Sequence, residues 1–208
     1  MKPTFALSMM MICFLFNVYG QEKLSPNLPY YEIPAYPDSY TPGTVAARVV
    51  DGLGFRYYWA TEGLRKEDLV FKPSADARTT EETLVHIYQL TLVIANTAKK
   101  IPTITGGAPP QFSFEELRKR TLENIKVASD ILKAANEKEL VESKMIFKGP
   151  NGSKEYPFWN LLNGPIDDAL WHVGQVITFR RSSGNPFNSN ASVLIGKLVE
   201  QKAPVSKE

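Results

Sequence analysis

Apolar residues recur three and four positions apart through most of the chain, the period of a helix with one buried face. Val45, Val49, Leu53, Tyr57 and Leu64 mark the first such stripe, from about Thr44 through Arg65. Pro42 and Thr44 supply its start, and Gly63 lies near its end. Gly52 and Gly54 sit inside it, at about 1 kcal/mol each relative to alanine. Lys66 to Arg78 is a connection containing Pro73 and Asp76. Leu84, Ile87, Thr91, Ile94 and Ala98 form the second stripe. Thr79 or Thr80 caps it, and Glu81 and Glu82 suit the positive end of a helix. Pro102, Gly106, Gly107, Pro109 and Pro110 then break the pattern. In a third stripe, Leu117, Leu122, Ile125, Ala128, Ile131, Leu132 and Ala135 are apolar, and Ser113 precedes Glu116 at capping-box spacing.

From Val141 to Tyr156 the period changes. Met145-Ile146-Phe147 and the residues near Tyr156 flank Gly149-Pro150-Asn151-Gly152, a hairpin signal. A fourth helix is predicted from about Pro157 or Phe158 to Arg181, ended by Ser183-Gly184-Asn185-Pro186. Gly164-Pro165 either kinks it or marks its true start. A last short helix is expected from Ala191 to Gln201, before a charged tail. Four long helices joined by loops of moderate length predict an all-α four-helix bundle, with a short β-hairpin inserted before the last long helix.

The N-terminus belongs to none of these elements. Lys2 is followed by an apolar run, Phe5 to Val18, and by small residues at Val18-Tyr19-Gly20. The run is too short for a comfortable membrane span, so residues 1–20 are read as a cleaved secretory signal, with no stable span after cleavage. Export to the periplasm or the extracellular space follows from that reading. Residues 21–42 are dense in Pro and Tyr, which forbids a helix interior and predicts an extended arm on the surface or a tether. Residues 43–203 form the bundle domain. Cleavage also removes Cys13, the sole cysteine, and with it any disulfide, thiolate nucleophile or Cys-ligated metal. A net charge of +2 gives no electrostatic case for nucleic acid.

Candidate chemistry rests on the two histidines, His86 and His172. Asp168 stands four residues before His172, so on a helix both leave the same face, about 6 Å apart along the axis. His86 lies one turn into the second helix. A single histidine beside an apolar stripe is usually a hydrogen-bonded core residue, and a helix carboxylate is usually solvated. Together, however, His86, Asp168 and His172 supply three ligands from facing helices and leave positions for water, as catalytic metal sites do. Two imidazoles and a carboxylate suit Zn²⁺, Ni²⁺ or Fe²⁺. Gln175 and Phe179 continue the stripe. Glu62 and Asp167 are candidates for a base or a partner to a ligating histidine. Trp159 and Trp171 are expected in the core or a pocket wall. Thr61, Tyr57 and Tyr58 are candidates for a pocket mouth, and Arg180 and Arg181 complement the dipole of the last helix.

Thr79-Thr80-Glu81-Glu82-Thr83-Leu84-Val85-His86-Ile87 and Trp171-His172-Val173-Gly174-Gln175-Val176, with Arg180 and Gly184-Asn185-Pro186, resemble the DinB-like superfamily over most of Val45 to Pro186. The resemblance implies a four-helix bundle with three histidine ligands, one on helix two and a His-x-x-x-His pair on the last helix. His86 falls on the first position and His172 on the third. Asp168 stands where the family has its middle histidine. The resemblance further implies a metal-dependent hydrolase, or a thiol S-transferase using low-molecular-weight thiols.

The expected protein is thus an exported bundle that holds a divalent metal and activates water or a thiol for a small-molecule substrate of unknown identity. The alternative is a non-catalytic bundle that has lost the metal and binds a small molecule or a partner. Export favours that alternative, since the cytosolic thiols used by some relatives are not expected outside the cell. Either reading leaves a homodimer open.

Overall fold

Thr41, Thr79 and Ser113 set the starts of the three longest helices by accepting hydrogen bonds from the amides of Thr44, Glu82 and Glu116. Each such cap contributes about 1 kcal/mol. The computed structural model describes residues 28–199. The predicted signal peptide and residues 200–208 lie outside the described residues. In chain order the elements are α1 (Pro42–Thr61), α2 (Lys66–Leu69), α3 (Thr80–Ala98), β1 (Thr103–Ile104), α4 (Phe114–Ala134) and α5 (Glu137–Glu142). They continue with β2 (Met145–Gly149), β3 (Gly152–Tyr156), α6 (Trp159–Leu161), a π-helical turn (Leu162–Ile166), α7 (Asp167–Ser182), β4 (Ala191–Ser192) and β5 (Lys197–Leu198).

The long helices close a ring in which α1 packs on α4, α4 on α3, α3 on α7 and α7 on α1. This is the predicted all-α four-helix bundle. Leu53, Ile87, Leu122 and Val176, one from each helix of the ring, are fully buried. Buried threonines keep their hydroxyls satisfied inside their own helices, as Thr83 does on the Thr79 carbonyl and Thr121 on that of Leu117. The hairpin forms as expected: β2 and β3 pair antiparallel, with Gly149 opposite Gly152 and Pro150-Asn151 at the turn. A third strand, β1, adds to β2 in parallel. Gly164-Pro165 does break the last helix. Gly164 takes φ −101° and ψ −105°, and the regular turns of α7 begin at Asp167.

The arm is not a free tether. Tyr30 is buried and its ring lies where a Cβ on Gly54 would stand, 2.6 Å away. Its hydroxyl donates to Asp51 Oδ1 at 3.0 Å, and Ser129 Oγ donates to the same oxygen. Burial first, and then the Asp51 charge, push the Tyr30 phenol far up, so it stays a donor. Trp59 Nε1 donates to the Tyr31 carbonyl and Arg48 Nη1 to that of Pro34.

The predicted last helix does not form over its described part. Ala191–Ser192 instead pairs antiparallel with Lys197–Leu198. Gly196 has φ +71°, where a side chain is strained, and Ile33 occupies the space its Cβ would need. The Ile33 amide donates to the Gly196 carbonyl at 2.8 Å, so the arm fixes this segment from outside.

Candidate metal centre

Two neighbouring helices of the ring, α3 and α7, position the site. Thr79 and Glu82 cap each other's backbone, which fixes the first turn of α3 and places His86 one turn further on. The break at Gly164-Pro165 restarts the chain as α7, with Asp168 and His172 on one stripe facing His86. The Asp168 carboxylate lies between the two imidazoles: Oδ2 is 3.5 Å from His86 Nε2 and Oδ1 is 3.3 Å from His172 Nε2. The two rings meet edge to face, with centroids 4.7 Å apart. One ligand atom from each residue can be chosen so that all three lie within 4.8 Å of one another.

The donor set fits a divalent cation. Two imidazoles and a carboxylate are a ligand set that divalent cations take, and their three ligand atoms lie within 4.8 Å of one another, with one carboxylate oxygen turned to each imidazole. The side chains keep 27%, 42% and 14% of their surface exposed for His86, Asp168 and His172, so the cluster opens to solvent.

Gln175 completes the arrangement. His172 Nδ1 donates to Gln175 Oε1 at 2.7 Å, which leaves Nε2 with its lone pair toward Asp168. A ligating imidazole is commonly fixed by such a bond at its other nitrogen. Gln175 was visible in the sequence as part of the stripe, and its i+3 spacing from His172 was the signal for this contact. Burial first, then the charges of Arg78 and His172, hold the His86 imidazole below its ordinary pKa, against the pull of Asp168. The neutral form, the one that ligates, is thereby favoured. The exposed Arg78 carried no signal in the sequence.

No family model matches the chain, and no curated protein matches it. Among solved structures it is similar to a DinB-like protein from Bacillus subtilis. The two share 17% identity with a TM-score of 0.49, over 66% of this chain and 92% of that one.

The other candidates lie elsewhere. Glu62 pairs with Arg118, which also donates to Thr61 and to the Tyr58 carbonyl. Asp167 is exposed. Tyr57, Tyr58 and Thr61 are buried in the core and line no mouth. Trp159 and Trp171 are 75% and 74% exposed, contrary to the expectation of core or wall. Arg180 does more than complement a dipole. It is buried, and its Nη1 donates to the carbonyls of Trp59, Ala60 and Glu62, capping the C-terminus of α1.

Proposed function

We propose that His86, Asp168 and His172 hold a divalent cation, and that the protein is a metal-dependent hydrolase or transferase working on a small molecule outside the cytoplasm. The observation that carries this is the convergence of three ligand atoms within 4.8 Å, from two helices, with His172 already oriented by Gln175. A cation held there would supply Lewis acidity, lowering the pKa of a water or thiol. The chain's own groups do the rest. Nε2 of each histidine and the Asp168 carboxylate donate lone pairs, and the carboxylate brings one negative charge where the superfamily has a neutral imidazole. Once Cys13 leaves with the proposed signal, no side-chain thiolate remains, so an attacking thiol must come with the substrate. Export itself rests on residues 1–20 alone.

The same geometry supports the alternative in one respect, because Asp168 can accept a hydrogen bond from His86 Nε2, 3.5 Å away, with no metal present. Elemental analysis of untagged protein separates the two. About one equivalent of Zn, Ni or Fe, removed by chelator and absent from His172→Ala, is expected. Protein with no metal and no change in Tm on adding Zn²⁺, Ni²⁺ or Mn²⁺ would instead be a metal-free binding module.

A further inference from the structure

Leu170, Val173, Gly174 and Ile177 share a second stripe of α7, about half a turn from Asp168, His172 and Gln175. With Val49 of α1 and Val193 of the β4–β5 segment, they line an open groove of about 580 Å³ between α1 and α7. Arg48, Gly52 and Arg56 complete its α1 side. The metal-binding cluster lies on the other side of α7, against α3. The groove is therefore separate from it.

Among the described residues, neither arginine has an anionic partner. The arginine ion pairs of the described residues engage Arg65, Arg118 and Arg120, and none engages Arg48 or Arg56. Arg48 Nη1 donates to the Pro34 carbonyl and its guanidinium stacks on Tyr36 at 4.8 Å. Arg56 Nη1 donates to the Gly52 carbonyl of its own helix. A guanidinium has five N–H donors in a fork that matches a carboxylate, so most of each fork is unused.

Gly174 adds a second observation. A Cβ there would meet nothing within 4 Å, and its φ is not in the left-handed region. Neither packing nor backbone conformation requires glycine at a helix-interior position where it costs about 1 kcal/mol relative to alanine. Its effect is to keep the groove open.

We propose that this groove binds an amphiphilic organic anion. Its carboxylate pairs with Arg48 and Arg56, and its hydrocarbon chain lies on Val49, Leu170, Val173, Ile177 and Val193. The volume falls within the range of small-molecule sites, about 300–1,000 Å³. A second copy of the chain complements the groove less well. A two-fold contact sets the patch against itself, and the charges lining it are both positive.

The test is calorimetric titration of the protein with decanoate below its micelle concentration. Saturable binding at one site is expected, with 1-decanol and acetate each at least tenfold weaker. Arg56→Gln should weaken decanoate at least tenfold. Gly174→Leu, whose side chain enters open space, should block it while Tm holds or rises. His172→Ala should bind decanoate as the parent does, which keeps this result independent of the metal. Decanol binding as tightly as decanoate, or both groove variants binding normally, would overturn the proposal. So would a dimer in sedimentation that Gly174→Leu dissociates, which would assign the groove to a second copy.

Discussion

Gln175 is the residue whose role is best isolated. It touches His172 through one hydrogen bond at the nitrogen that faces away from Asp168, so its effect on any metal is indirect. Partners of this kind typically contribute 10–100-fold in metal affinity. Gln175→Leu, close in volume but without the acceptor, is expected to weaken metal binding about 10–100-fold and leave Tm of the metal-free protein nearly unchanged. Competition against a chromogenic chelator measures the first and a thermal melt the second. Unaltered affinity would mean that packing of α7 alone orients the imidazole. The convergence of His86, Asp168 and His172 was legible, because a four-residue spacing on a helix and a capped helix opposite it leave little freedom. Trp159 and Trp171 were not. A large aromatic is buried only if its angular position faces a neighbour, and composition does not give that angle.

Among elements, the ends of α1 and α7 depend on each other. Arg180 caps the α1 carbonyls, while its Nε donates to the Asn185 carbonyl. Asn185 Nδ2 in turn donates to Gly63 O and Asp68 Oδ2. Burial by itself would raise the Asp68 carboxyl. Hydrogen bonds from Arg65, Ser183 and Asn185 outweigh it and hold the group well below the usual carboxylate range. With the folded value below the unfolded one of about 3.9, the stabilisation is present above that value and is lost as pH falls through the folded pKa. Asp68→Asn is expected to cost roughly 2 kcal/mol at pH 7 and to lose less stability on acidification below about pH 4. Urea unfolding at pH 7 and pH 3 checks both. Identical pH dependence in the two proteins would remove Asp68 from the account of acid sensitivity. The sequence showed Arg180 and Asn185 as motif residues without showing what they hold. The acceptors that tie them to α1 are the carbonyls of Trp59, Ala60, Glu62 and Gly63, more than a hundred residues away, and backbone groups leave no trace in a side-chain pattern.

At the scale of the molecule, the bundle was legible because four amphipathic stripes, each with its own start signal, admit few other packings. The two chain ends were not, because each is shaped by the other. The segment after Ala191 is too short to hold a helix by itself, where isolated helices under about 12–15 residues are marginal. Its backbone is set by Ile33 from the arm. The arm in turn is held by Tyr30, which fills a slot in α1 and satisfies Asp51. Tyr30→Ala is expected to destabilise the fold by about 3–5 kcal/mol through the lost ring, and Tyr30→Phe by about 1–3 kcal/mol through the lost hydrogen bond to the Asp51 carboxylate. Chemical denaturation measures both. Losses under 0.5 kcal/mol in each would show the arm to be a passenger.

The ring of Tyr30 stands where any side chain at position 54 would have to go. The two positions are 24 apart in sequence yet share one volume, so they cannot drift independently. A lineage that lost the arm would be released to place alanine or larger at position 54, which would also strengthen α1. A lineage that kept Tyr30 would be confined to glycine there. Across homologues, position 54 should therefore report whether an arm like this one is present, even in chains whose N-termini are too divergent to align.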